Sequence, residues 1–260
     1  RHIKGIEQMG ESHEDMLRRV AAGYFGLITH LDEQIGSVMD SAEALGLLEN
    51  TRIAYTSDHG ESYGNHGLFG KCQLLETAAA VPLMMAGPGI PPGQVVRQIV
   101  SQVDLFPTIA ETVGATLADE DAQLPGTSLW PALTGTETER LGYGEYHASC
   151  SRAGSFFLRQ GTDKLIYHVD MPRQLFDLAA DPHETRDLLA QGNDPAATKQ
   201  ADALEKLLRT ICDPEAVNAR AKADQHARVE KYGGNEKVAT MGNFTRTPPP
   251  GVKADFIRTP

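Results

Sequence analysis

Apolar residues in the N-terminal part of the chain recur every three or four positions from Met16 to Leu45, the spacing of one face of a helix. Ser12 and Asp15 resemble a capping pair ahead of this stripe, and Gly46 stands where a C-terminal cap would end the helix. The pattern predicts one long amphipathic helix whose apolar stripe belongs to the core. The stripe consists of Met16, Val20, Tyr24, Leu27, Leu31, Ile35, Val38, Ala42 and Leu45.

Two short apolar runs follow, at residues 53–56 and 81–86, and their length predicts buried strands. Gly and Pro residues end the second run, and Asp104 stands where it would cap a helix at about 105–113. The order helix, strand, loop, strand, helix is typical of a three-layer α/β sandwich. We therefore expect residues 1–136 to form part of an α/β catalytic domain.

After residue 136 the pattern changes to short, partly alternating runs broken by turn residues, which predict an antiparallel sheet. An amphipathic helix and a charged helix follow, so residues 137–232 are expected to form a small α+β subdomain. Residues 233–260 include three consecutive prolines and predict an extended C-terminal tail. Such a tail could also wrap a neighbouring subunit in a homo-oligomer. The predicted strands are 142–147, 154–159, 164–168 and 174–177, and the predicted helices are 196–212 and 214–231.

Charge and cysteine content narrow the partners and the compartment. The net charge of -11 argues against a nucleic-acid partner, because no basic cluster offsets it. No apolar run reaches the ~18 residues that span a bilayer, so no membrane partner is expected. Cys72, Cys150 and Cys212 are too widely spaced to predict a disulfide framework or a zinc cluster. A cytoplasmic location is the expectation, with a leader removed before Arg1 left open.

Candidate chemistry concentrates after the first predicted strand. Asp58 and His59 follow residues 53–56 directly, and a glycine-rich loop leads from them to Lys71. In open α/β sheets, ligands bind where the strands deliver their carboxyl ends. Asp58 and His59 together could hold a divalent metal, and Lys71 could neutralise an anion bound to it. His66 stays outside this set, because three roles are open to it: it could hydrogen-bond within the loop, support a metal ligand or contact the substrate.

The run Tyr55-Thr56-Ser57-Asp58-His59-Gly60-Glu61, followed by His66-Gly67-Leu68 and Gly70-Lys71, resembles the C-terminal signature of the sulfatases. These enzymes belong to the alkaline phosphatase superfamily, which also contains phosphonate monoester hydrolases. Residues 81–90 and 103–109 resemble the family's next strand, turn and helix. Leu175-Phe176-Asp177-Leu178, with Asp181-Pro182 and Glu184, resembles its late hairpin. The similarity runs from about residue 20 to residue 190 and implies a partial alkaline-phosphatase-like fold followed by a small antiparallel sheet and a C-terminal helix.

The resemblance aligns Asp58 and His59 with the family's late pair of metal ligands, and Lys71 with the lysine that contacts the sulfuryl or phosphoryl oxygens. Many sulfatases have Asn where this chain has His59, with calcium as the metal. Imidazole suits manganese, iron or zinc better than calcium. We therefore expect one divalent cation, Ca²⁺ or Mn²⁺, and a small sulfate, phosphonate or phosphate ester as substrate.

The family's nucleophile is a formylglycine made from the Cys or Ser of a C-x-P-S-R type motif. Neither the three cysteines nor any serine of this sequence stands in such a motif. The expectation is a C-terminal part of a sulfuric ester hydrolase that is inactive alone, with the nucleophile in a missing or companion N-terminal segment. Two alternatives stay open: a phosphonate monoester or phosphodiester hydrolase of the same superfamily, and a non-catalytic assembly or binding module.

Overall fold

The computed structural model describes residues 13–240 except 122, 137, 149, 150, 191 and 193, together with the backbone of 243–244 and 256–257. Its first element is helix α1, His13–Ala44, which confirms the long helix. Gly46 ends it in the left-handed conformation at φ 67°. The Gly46 amide donates to Glu43 O at 2.8 Å and the Leu47 amide to Ala42 O at 2.9 Å, the bond pattern of a Schellman cap. Ser12, the other half of the predicted N-terminal signal, lies outside the described residues.

The core packing predicted for the α1 stripe is wrong for most of its length. Leu27 and Val38 each keep 68% of their surface exposed, whereas Met16 is buried. Near the start of the helix, the Tyr24 ring lies 4.9 Å from the Tyr63 ring, measured between centroids. A helical stripe is buried only where another element faces it, and the exposure of Leu27 and Val38 shows that no described element does so there.

Strands β1, Ile53–Thr56, and β2, Leu83–Ala86, form an antiparallel two-stranded sheet in which Ile53 faces Ala86. Both strands are confirmed, but their full burial is not. Met84 is 60% exposed, because alternate side chains of a strand point to opposite faces and one face here is open. Between the strands, a single helical turn, α2, spans Glu76–Ala79.

Helices α3, Leu105–Thr112, and α4, Trp130–Leu133, follow the first sheet, and α3 confirms the predicted helix. Asp104 directly precedes α3, but its side chain does not cap it, so that part of the prediction is wrong. The fully buried carboxylate instead accepts the Ser101 and Thr127 amides at 2.8 and 2.9 Å and pairs with Arg140 at 2.6 Å. These bonds tie the start of α3 to the segments on either side of α4.

The second sheet contains four antiparallel strands in the order β3-β4-β5-β6, which confirms the small antiparallel sheet. Helix α5 covers it and is capped by the preceding residue, Asp194, whose carboxylate accepts the Ala196 and Ala197 amides. Leu204 and Leu208 of α5 pack in one core with Phe156 and Leu158 of the sheet. The strands are β3 Leu141–Tyr146, β4 Ser155–Gln160, β5 Asp163–His168 and β6 Gln174–Asp177, and α5 spans Pro195–Ile211.

The chain continues through α6, Pro214–Lys231, which confirms the charged helix. The extended conformation predicted from residue 233 is wrong for Gly234–Thr240, which form helix α7. That prediction rested on the prolines at 248–250, which lie outside the described residues. Strands β7, Asn243–Phe244, and β8, Phe256–Ile257, pair antiparallel. None of the described helices is both long and apolar enough to cross a membrane. The mixed α/β class, with a small antiparallel sheet and C-terminal helices, is confirmed.

Candidate functional site

The carboxyl end of β1 delivers the two candidate metal ligands side by side. The Ser57 hydroxyl donates to His59 O at 2.9 Å, and the His59 amide donates to Asp58 Oδ1 at 3.0 Å. Gln102, just before α3, donates from its side-chain nitrogen, Nε2, to Ser57 O. These bonds fold the chain tightly around Asp58, so both side chains leave the same short turn.

The Asp58 and His59 side chains converge on one point. His59 Nε2 lies 3.3 Å from Asp58 Oδ2, and the two side chains are 36% and 82% exposed. His59 Nδ1 lies 2.9 Å from Gly60 O. A carbonyl oxygen only accepts, so Nδ1 is the donor in this contact, and Nε2 is the ring nitrogen that faces the carboxylate.

A ring nitrogen and a carboxylate oxygen that face each other in this way are placed to share a cation. Two ligands bound at about 2.1–2.5 Å and at right angles would stand about 3.0–3.5 Å apart. The 3.3 Å between Nε2 and Oδ2 falls within that range. No cluster of three or more His, Cys, Asp or Glu side chains able to hold a metal occurs among the described residues. Asp58 and His59 therefore offer two ligand atoms to a cation, and the other coordination positions are left to groups from elsewhere.

Helix α2 supports the turn that carries His59. The Gly60 amide donates to Ala78 O at 2.9 Å. A Cβ at position 60 would lie 2.2 Å from Thr77 O, so only glycine lets the two backbones approach this closely. The residue after the candidate ligand pair is therefore fixed against α2 by a hydrogen bond and by steric contact.

The glycine-rich loop is closed by its own polar side chains. Ser62 is buried and bonds to Gly70 O through both its amide, at 2.9 Å, and its hydroxyl, at 2.6 Å. Glu61 Oε1 accepts the amides of Tyr63 and Gly70. Gln73 donates to the Ser62 hydroxyl at 3.0 Å. The loop therefore has a defined shape, and its ends, at Glu61 and Gly70, meet.

Lys71 follows this closure, and its side chain is exposed. Within the described part of the chain, no contact joins its ammonium to Asp58 or His59. Asp58 lines a cavity of about 500 Å³ whose described lining also includes Glu76 and Arg159 but not Lys71. The structure thus brings Asp58 and His59 together and leaves Lys71 on the surface beside the loop.

A buried charge cluster next to the site was missed by sequence reasoning. Lys164 of β5 is fully buried, with its ammonium 2.7 Å from Glu76 Oε1 and 2.8 Å from Glu184 Oε1. Arg159 of β4 lies 3.2 Å from the other Glu76 oxygen. In the sequence, Lys164 occupies a short alternating strand, where a charged residue predicts a solvent-facing side chain, so no local signal revealed the cluster.

His66, whose role the sequence left open, contacts the turn at residues 183–184. Its Nε2 lies 2.9 Å from His183 O, and its backbone adopts φ 54°. Glu184 also has a positive φ, at 53°, and its Oε2 accepts the Glu76 amide at 2.5 Å. The turn at 183–184 therefore contacts both the tip of the glycine-rich loop and the start of α2.

With this geometry in place, comparison with known proteins shows the family. Residues 4–115 match the model described as Sulfatase, and residues 64–212 match the model described as N-sulphoglucosamine sulphohydrolase, C-terminal. The chain belongs to the sulfatase family of the alkaline phosphatase superfamily.

Curated relatives agree with this assignment. The chain is 35% identical to a choline-sulfatase of Rhizobium meliloti (strain 1021), over 84% of this chain and 43% of the relative. It is 30% identical to arylsulfatase K of Xenopus laevis, over 79% of this chain and 39% of the relative. The chain thus spans about two fifths of the length of these curated relatives.

Solved structures similar to this chain include a phosphonate monoester hydrolase and a protein bound to a sulfated sugar. A phosphonate monoester hydrolase from Silicibacter pomeroyi aligns with a TM-score of 0.65 and 29% identity, covering 77% of this chain and 42% of that one. A protein solved with its substrate D-glucosamine-2-N,6-O-disulfate aligns with a TM-score of 0.64 and 27% identity, covering 72% and 40%.

Proposed function

We propose that this chain supplies the late metal-ligand pair, Asp58 and His59, and an anion-binding lysine, Lys71, to a metal-dependent sulfuric ester hydrolase. The observation that carries the proposal is the 3.3 Å approach of His59 Nε2 to Asp58 Oδ2, with the other ring nitrogen occupied by Gly60 O. Membership of the sulfatase family supports the reaction class. The family's formylglycine nucleophile would come from residues outside this sequence.

Each residue has a distinct proposed role. Asp58 and His59 would hold one divalent cation, Mn²⁺ or Ca²⁺, and the hydrogen bond from His59 Nδ1 to Gly60 O would keep Nε2 available for it. When bound, such a cation acts as a Lewis acid and a template for an anionic ester. Lys71 would offset charge on the non-bridging oxygens of the sulfuryl group. The exposure of Lys71 leaves its long side chain free to turn toward a bound ester.

Titration with Mn²⁺ tests the ligand pair directly. Electron paramagnetic resonance counts free Mn²⁺, and we expect saturable binding that competes with Ca²⁺. Asp58→Ala and His59→Ala should each abolish binding. Asp40→Ala removes another exposed aspartate, on α1, and should leave binding unchanged. Absence of binding in the unaltered chain would favour the non-catalytic assembly or binding module instead.

A phosphonate monoester or phosphodiester hydrolase is the second candidate. His59 in place of the Asn found in many sulfatases favours it, as does the likeness to the Silicibacter pomeroyi phosphonate hydrolase. Both ester classes present a tetrahedral anion to the same groups. The ratio of kcat/KM for an aryl sulfate to that for an aryl phosphonate, measured with this chain joined to a nucleophile-bearing part, separates the two.

We also propose that the remaining part of a sulfatase, in the same or a companion polypeptide, covers the exposed face of α1. The exposure of Leu27 and Val38 supports this, since the matched relatives are more than twice as long as the aligned region. Light scattering of the purified chain distinguishes a companion from self-association. A concentration-independent monomer that captures a nucleophile-bearing fragment supports the companion. A stable homodimer supports an oligomer, with the C-terminal tail as the proposed contact.

A further inference from the structure

We propose that the buried charge cluster formed by Glu76, Lys164 and Glu184 is a positioning device for the candidate metal site. It would hold His59 in its ligand geometry from the far side of α2. The inference rests on the proposed function for the identity of the ligand, but the mechanical link stands on contacts of its own.

In the first step of that link, α2 is anchored to the second sheet, β3–β6. Lys164 is fully buried and contacts two carboxylates, Glu76 at 2.7 Å and Glu184 at 2.8 Å. A buried ammonium is costly unless it is paired, so these carboxylates are held in place by its charge. Glu184 also accepts the Glu76 amide, which fixes the first residue of α2 through its backbone as well as its side chain.

The second step passes from α2 to the ligand pair. Gly60 bonds to Ala78 O at 2.9 Å and would leave only 2.2 Å between a Cβ and Thr77 O. Gly60 O in turn receives His59 Nδ1 at 2.9 Å. A displacement of α2 would therefore move the carbonyl that sets both the tautomer and the ring orientation of His59.

The third observation excludes a role in solubility or surface charge alone. Lys164 and Glu184 are both buried, and the cluster joins residues that lie far apart in the chain, with Glu76 and Lys164 separated by 88 positions. An isolated buried ion pair gives little net stability compared with apolar side chains of similar volume. The contribution of the cluster beside the site is therefore the defined geometry that it imposes on α2.

The test compares two carboxylates that are alike except in location. Glu76 and Glu205 have side chains that are each 21% exposed, and each pairs with two cations. Glu205 lies on α5, where it contacts Arg173 and Arg209. Glu76→Gln should accelerate amide exchange at Gly60 at least tenfold and weaken Mn²⁺ binding by about 10–100-fold. Glu205→Gln should leave both unchanged.

Glu184→Gln is the second variant, because a glutamine oxygen can still accept the Glu76 amide while the charge on Lys164 loses a partner. It should reproduce both effects of Glu76→Gln, and exchange at the β3–β4 amides confirms that the sheet is folded. Equal effects of Glu76→Gln and Glu205→Gln, or unchanged exchange at Gly60 in both cluster variants, would overturn the inference. If the unaltered chain binds no Mn²⁺, the proposed function fails, while exchange at Gly60 still decides the positioning role.

Discussion

Replacing Gly60 with alanine offers a sharp test of the packing that supports the candidate site. The added Cβ would lie 2.2 Å from Thr77 O, 3.0 Å from Thr77 C and 3.3 Å from the Ala78 Cα. A carbon and an oxygen in contact normally stay more than about 3 Å apart, so a backbone segment must move by roughly 1 Å. Overpacking of this kind costs about 1–3 kcal/mol.

Urea unfolding followed by circular dichroism measures the effect. A cost of about 2 kcal/mol divided by a slope of about 2 kcal/mol/M lowers the midpoint by roughly 1 M, and we expect no change in slope. Mn²⁺ binding should weaken as well, because the Gly60 carbonyl that orients His59 is displaced.

Gly23→Ala provides the matched control. Gly23 lies inside α1, and beyond the backbone of its own helix no atom lies within 4 Å of the Cβ position. The same substitution should therefore stabilise the chain by about 0.5–1 kcal/mol. A Gly60→Ala chain with the midpoint and Mn²⁺ affinity of the unaltered protein would show that α2 does not constrain the turn.

Three further substitutions probe the scaffold. Burial raises the pKa of Asp104, but hydrogen bonds from Arg140 and from the Thr127 and Ser101 amides lower it by more. The pKa of Asp104 in the folded chain is therefore below its usual value. The Asp104 carboxylate therefore stabilises the fold fully at pH values above its pKa in the unfolded chain. This stabilisation is lost as the pH falls through the lower pKa that Asp104 has in the folded chain. Asp104→Asn should flatten the acid side of a plot of melting temperature against pH. Asp194→Ala removes the N-cap of α5 and should cost about 1 kcal/mol in urea, with little effect if the cap is redundant. Leu208→Ala should cost about 2–5 kcal/mol, and a loss below 1 kcal/mol would contradict the core assigned here.

The features that the sequence predicted well depend on neighbouring residues. Gly46 ends α1 because a left-handed residue is needed there, and glycine adopts that conformation without strain. The alternating runs became β3–β6 because the period of two is a local property of each strand. Asp58 and His59 are adjacent in the chain, so their convergence after β1 needed only a tight turn.

The features that were missed are either too short to show a pattern or depend on contacts between residues far apart in the chain. Helix α2 is one turn long, too short to show a helical period. The exposed stripe of α1 looks like core, because burial is decided by what faces a helix and not by the helix itself. Lys164 meets Glu76 from 88 positions away, which no local pattern reveals.

The burial of Lys164 also gives the protein an internal chemical reporter. Amine-reactive reagents modify an exposed lysine such as Lys71 rapidly, but a fully enclosed ammonium held between two carboxylates is out of their reach. Acylation at Lys164 therefore requires that the sheet and α2 separate. Mass spectrometry of the labelled peptide would then record how often this junction opens, with every exposed lysine of the same molecule serving as the reference for reagent dose.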